Sequence, residues 1–189
     1  DKKGIVLIFD ECTTGFRQTL AGIHKELNID PDIVIYGKAM GNGYPINAVV
    51  GKKYIMSASS KTFISSTFWT ERLGPSAALK TIDIMEKNKT YLHIKKKGLK
   101  ILSIWKKLAK KHSLKIKIFG IPSLAKFEIK SKNWPKIKLF IINEFLKRNF
   151  LATNLFYPSV AHKSTIIKKY EIILDGIFKK IKENKTNFD

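Results

Sequence analysis

The sequence is short of everything that would cross-link it or carry it into a bilayer. Cys12 is its only cysteine. That excludes an intrachain disulfide and fits a reducing compartment, read here as the cytoplasm. No apolar run approaches the about 20 residues that a helical membrane span needs, and no membrane partner is expected. No signal peptide is visible. Arginine is scarce: Arg17, Arg72 and Arg148 are the only ones among 36 basic residues. Acidic residues number 15, leaving a net charge of +21. A nucleic-acid surface would usually read phosphate with the planar, bidentate guanidinium of Arg. The lysines here are spread through the C-terminal two-thirds, and no helix-turn-helix, zinc or aromatic-platform signature accompanies them. The charge therefore reads as compositional bias of a chain also rich in Ile, Asn and Phe, and no nucleic-acid partner is expected. A basic, non-catalytic nucleic-acid-binding domain is the remote alternative. An initiator Met is also lacking, and an apolar strand begins only a few residues in. The expectation is a partial sequence of a larger protein, poorly folded and inactive when expressed alone.

At 189 residues and 44% apolar content, there is room for one ordinary domain or one and a fraction. Residues 5–9 are continuously apolar, as in a strand buried on both faces of a parallel sheet. They deliver Asp10-Glu11. Thr13, Thr14 and Gly15 form a turn. Residues 17–28 read as partly helical, with Leu20, Ile23, His24 and Leu27 at helical spacing. Pro31-Asp32 opens a second strand, 33–36, which delivers Gly37-Lys38. Residues 45–50 are extended, and 52–56 can form one helical turn.

From Glu71 to Lys111 the pattern is helical, with a break expected near 88–90. Leu79, Ile82, Ile84, Met85, Leu92, Leu99, Leu102, Ile104 and Leu108 mark the faces expected to be buried. Residues 115–119 and 123–130 alternate charged and apolar residues as half-buried strands do, joined by the turn Gly120-Ile121-Pro122. Residues 136–149 and 164–182 are amphipathic helices around an extended or irregular stretch at 150–156, and the polar tail 183–189 is expected to fray. The division expected is 1–90 and 91–189. There is no internal repeat.

The β-α-β opening places an acid and an amine at two strand tips. In open α/β sheets ligands bind just beyond the carboxyl ends of strands, so Asp10 and Lys38 can share a pocket. A lysine there can form a Schiff base with a carbonyl once its ammonium loses a proton. A carboxylate at a neighbouring tip can hold a cationic ring nitrogen. Those are the two contacts that pyridoxal phosphate needs. On spacing alone, Asp10 can equally be a helix cap and Lys38 an ordinary solvated lysine.

The wording goes further. Leu7-Ile8-Phe9-Asp10-Glu11-Cys12-Thr13-Thr14-Gly15-Phe16-Arg17 resembles the "LIFDEV-x-TGFR" segment of class III (fold type I) pyridoxal-phosphate (PLP) aminotransferases. Residues 31–46, Pro-Asp-Ile-Val-Ile-Tyr-Gly-Lys-Ala-Met-Gly-Asn-Gly-Tyr-Pro-Ile, resemble the family's "PD…GK…G-G-P" run. Residues 65–75, Ser-Ser-Thr-Phe-Trp-Thr-Glu-Arg-Leu-Gly-Pro, are similar to its hydroxyl segment before a long helix. Tyr157-Pro158-Ser159-Val160-Ala161-His162 is similar to an "S-x-AH" segment of the glutamate-1-semialdehyde aminomutase-like branch.

The resemblance covers nearly all of the chain but only the second half of a family member. It implies an α/β fold: part of a large, mainly parallel sheet domain that binds the cofactor, plus the small C-terminal α/β domain. It implies PLP as cofactor, with Asp10 on the pyridinium nitrogen, Lys38 as Schiff-base residue and proton shuttle, and Cys12 packed on the ring where the family usually has Val. It implies that Thr67 donates to the cofactor phosphate across a homodimer interface. Glu11, Arg17 and His162 are read as structural. Trp69 is read as lining the pocket entrance or as core. The activity implied is transfer of an amino group from a small-molecule donor to a small carbonyl acceptor by a 1,3-prototropic shift. The alternative is glutamate-1-semialdehyde 2,1-aminomutase. Because Ser-Ser-Thr-Phe-Trp-Thr-Glu-Arg departs from the "GT-x-SGNP" wording of true aminomutases, the aminotransferase is the first reading.

Overall fold

Two side chains carried just beyond the ends of neighbouring strands reach the same edge of a sheet when those strands run parallel. A computed structural model describes residues 3–68 and 70–183 and shows that arrangement. Trp69 and the tail 184–189 lie outside the described residues. β1 (Ile8–Glu11) pairs in parallel with β2 (Ile33–Tyr36), with Asp10 opposite Ile35. β2 pairs antiparallel with β3 (Ala48–Gly51), so the three strands described here form a mixed part of the sheet. A single helical turn, α1 (Lys53–Met56), follows, and then α2 (Leu73–Asn88).

The chain divides into two compact units, Asp1–Leu92 and His93–Asp189. The core of the first is small: Val34, Tyr36, Met40 and Ala78, with Phe9, Phe16, Ile46, Ala48 and Ile82 packed against them. The apolar stretch 5–9 is not buried as expected. Its strand starts only at Ile8, and Ile5 is 69% exposed. Among the described residues β1 has β2 on one side and no strand on the other. The partly helical character expected over 17–28 is confined to a short piece of that stretch. Only the single 3₁₀ turn Ile23–Lys25 forms there, and Leu27 is exposed.

Three partners of one carboxylate lock the start of this sheet. The Asp32 carboxylate accepts the Leu7 N–H at 2.8 Å and the Tyr54 hydroxyl at 2.9 Å. Lys52 pairs with it at 3.1 Å. The Leu7 amide first, then Tyr54 and Lys52, hold this carboxyl at about 2, below the usual carboxylate range.

In the second unit, α3 (Thr90–Lys111), α4 (Trp134–Leu146) and α5 (Ser164–Glu183) pack with an antiparallel sheet of β4 (Ile116–Phe119), β5 (Ala125–Ile129) and β6 (Leu155–Phe156). The break in the long helical stretch falls at Lys89, in the left-handed region at φ 48°. Ile104, Leu108 and Met85 are buried as the periodicity predicts, but Leu79, Ile84, Leu92 and Leu99 are exposed. The alternating residues Ala125, Phe127 and Ile129 of β5 enter a core with Trp105, Phe145, Tyr170, Leu174 and Phe178. At its centre the Trp105 indole N–H donates to the Tyr170 hydroxyl at 2.8 Å. Burial pushes the Tyr170 phenol well above its ordinary range.

Candidate active site

Successive strand residues point to opposite faces, and β1 uses this at its tip. Asp10 is exposed, whereas Glu11 beside it is fully buried. Glu11 faces the loop behind the sheet. Its Oε1 accepts the His24 backbone N–H at 3.0 Å and lies 3.1 Å from His24 Nδ1; its Oε2 accepts the Thr14 hydroxyl. Burial pushes this carboxyl up, but the bonds from Thr14 and from the His24 and Ile23 amides outweigh it and hold the group below the usual carboxylate range. An ionised Glu11 accepts, so His24 Nδ1 carries the proton. His24 is itself buried. The clamp leaves no room at Gly22, where an added Cβ would lie 2.5 Å from both Glu11 Oε1 and His24 Nδ1.

On the other face, the Asp10 carboxylate is oriented by the chain that follows it. Its Oδ1 accepts the Cys12 N–H at 3.0 Å. Cys12 is half-buried. Burial, then the Asp10 hydrogen bond and charge, push its thiol above the ordinary range, with Lys38 acting in the opposite direction. Cys12 therefore lies within electrostatic reach of both Asp10 and Lys38. Lys38 stands two residues beyond the end of β2, at the start of the single turn Lys38–Met40, with a left-handed φ of 44°. Its side chain is exposed within this chain. Its ammonium donates to Thr13 Oγ1 at 2.5 Å. Gly37 before it is buried, and a Cβ there would run into Asn47 Oδ1 and come within 3.5 Å of Cys12 Sγ. The glycine lets the β2 tip pass close enough to bring Lys38 beside Cys12.

Asp10, Cys12 and Lys38 are thus gathered at one end of the sheet, and Thr13 joins them. Thr67 is in an exposed turn before α2, and no contact among the described residues ties it to that group. Arg17 holds the turn from behind, its Nε donating to the Thr13 carbonyl at 2.6 Å. His162 belongs to the second unit. Its Nδ1 accepts the Ser159 N–H at 2.9 Å, and its ring lies 4.9 Å from that of Phe156. Burial first, then Lys97, lower its pKa. Sequence reading did not single out Thr13 or His24 as partners. The signal available for Thr13 was only its place in a hydroxyl-bearing turn between the two candidates.

Comparison with known proteins decides the family. The model of class-III aminotransferases matches residues 1–149. The chain belongs to that family. It is 30% identical over 164 residues to the 3-aminobutyryl-CoA aminotransferase of Cloacimonas acidaminovorans, a match covering 85% of this chain and 40% of that protein. It is 41% identical over 102 residues to the glutamate-1-semialdehyde 2,1-aminomutase of Chloroherpeton thalassium, covering 52% of this chain and 24% of that one. Among solved structures it is similar to the PLP internal aldimine form of the FumI protein of Sphingopyxis sp. MTA144, with TM-score 0.87, 22% identity and coverage of 98% of this chain and 45% of the other. Acetylornithine aminotransferase from Elizabethkingia anophelis matches with TM-score 0.82 at 23% identity, covering 95% and 49%. The fold is that of the type I PLP transaminases. The chain spans less than half the length of these relatives.

The residues present fit such a cofactor. A carboxylate held by a backbone amide and a primary amine stand at adjacent parallel strand tips, with a close-approach glycine between them.

Proposed function

We propose that the protein containing this chain is a PLP-dependent aminotransferase acting between a small-molecule amino donor and a small carbonyl acceptor. The observation that supports it is the convergence of Asp10, Cys12 and Lys38 at the tips of β1 and β2 in a chain of this family. When bound, the cofactor supplies an electron sink that stabilises a carbanion at the substrate carbon. Asp10, oriented by the Cys12 amide, keeps a proton on the ring nitrogen by placing a negative charge beside it. Cys12 offers a small apolar side chain to the ring. Lys38 would hold the cofactor through its aldehyde group and, once released, its amine would take up and return the proton at the substrate carbon. Thr67 would donate its hydroxyl to the cofactor phosphate across a homodimer interface.

The test uses the full-length protein. It is incubated with PLP, reduced with borohydride and digested, and the modified peptide is found by mass spectrometry. The expected result is an adduct on Lys38 that Lys38→Ala abolishes. An adduct on another lysine, or none on a folded dimer, removes the reading. A second reading, aminomutase, is favoured by the 41% identity over 102 residues to a glutamate-1-semialdehyde aminomutase. Turnover without any separate amino donor would select it.

A further inference from the structure

Thr13 has a part in this site that the motif comparison does not give it. We propose that Thr13 is a positioning residue for Lys38: its hydroxyl is the fixed acceptor that holds the Lys38 amine whenever that amine is not joined to a carbonyl. This rests on the reading of Lys38 as the Schiff-base lysine.

The contact joins residues 25 apart in sequence, from the ends of two different strands, at 2.5 Å. Both ends of the tether are anchored. On the lysine side, the backbone is set by its left-handed φ of 44° and by the buried Gly37. On the threonine side, the turn is held at three places. Arg17 Nε donates to the Thr13 carbonyl at 2.6 Å. The Gly15 N–H donates to the Glu11 carbonyl at 2.7 Å. The hydroxyl of the next residue, Thr14, donates to Glu11, which His24 holds in turn. Thr13 itself is half-buried, and these bonds fix the backbone that carries its hydroxyl.

An unrestrained lysine side chain samples many rotamers, and fixing its tip removes that search. A released amine caught by Thr13 stays beside Cys12 and Asp10 instead of swinging into water. The buried Glu11–His24 clamp, which touches neither Asp10's carboxylate nor Lys38, acts through this turn.

The experiment uses the full-length protein without cofactor. Lysines are labelled by formaldehyde and cyanoborohydride, and the labelling rate of the Lys38 peptide is divided by that of the Lys61 peptide in the same sample. Thr13→Val should raise the Lys38 ratio about fivefold, since an amine must leave its hydrogen bond before it can attack. Thr13→Ser, which keeps the hydroxyl, should stay within about twofold of the natural protein. If Thr13→Val does not fold, Thr13→Ala removes the same hydroxyl without added bulk and carries the same expectation. Equal ratios in the natural protein and the hydroxyl-free variant overturn the proposal, even where the Lys38 adduct forms normally. Absence of that adduct from the natural protein is a separate result that overturns the function reading first.

Discussion

At the scale of single residues, the site depends on what stands behind it. Glu11 is a buried carboxylate held by the Thr14 hydroxyl, the His24 and Ile23 amides and the His24 ring, so Glu11→Gln turns one acceptor oxygen into a donor facing another donor. The expected loss is about 2 kcal/mol of stability. Gly22→Ala should cost at least as much, because the new methyl would lie 2.5 Å from both partners of the Glu11–His24 pair. Urea unfolding of the full-length protein reads both, and unchanged midpoints would show that the clamp is idle. The placement of Asp10 and Lys38 at neighbouring strand ends was legible in the sequence, because each follows a short apolar run that a strand turns into a position. His24 and Thr13 were not. Their partners, Glu11 and Lys38, are 13 and 25 residues away, and neither separation follows a helical or strand period.

At the scale of elements, the second unit was the more readable. Its helices show sustained apolar stripes, and α5 runs over Ser164–Glu183 close to the 164–182 predicted. The stretch 17–28 has helical spacing too. Yet Gly15, Gly22 and Pro31 punctuate it, and the buried clamp, not a helix, takes up its polar groups. Strand 5–9 was read as buried because it is apolar, but burial needs a neighbour on each side, and hydrophobicity cannot supply one.

Two element-scale predictions follow from contacts of α5. Tyr170→Phe leaves the buried Trp105 N–H without its acceptor and should cost about 1–3 kcal/mol. The second concerns the Glu144 carboxylate on α4, which pairs with Lys180 at 2.7 Å on α5 and with Lys147 and Arg148 at 2.9 and 3.0 Å. Lys180 first, then Lys147, hold it at about 2 against an ordinary 4.5. A carboxyl depressed on folding adds stability that is fully present above its unfolded value and is lost as pH falls through the folded one. The gap in urea midpoint between the natural chain and Glu144→Gln should therefore be constant above pH 5 and close between about 4.5 and 2. A gap that persists at pH 2 would remove the charge from the explanation.

At the scale of the whole molecule, the two units are unequal. From His93 onward the described core holds Trp105, Phe127, Phe145, Tyr170 and Phe178, all essentially without exposure. The described core of the first unit is a small cluster around Val34, Tyr36, Met40 and Ala78, and the unit carries Phe63 at 95% exposure, Tyr54 at 70% and Leu73 at 67%. Expressed separately, residues 93–189 should melt cooperatively, whereas 1–92 should bind an apolar dye such as ANS and associate. A cooperative, dye-free melt of 1–92 would contradict this difference.

Cys12 gives the chain an analytical use. Because it is the only sulfhydryl here and lies half-buried within electrostatic reach of Asp10 and Lys38, a thiol-reactive fluorophore has a single address in this chain. Slow derivatisation that a bound cofactor blocks would turn one colour reaction into a gauge of site occupancy, independent of any substrate.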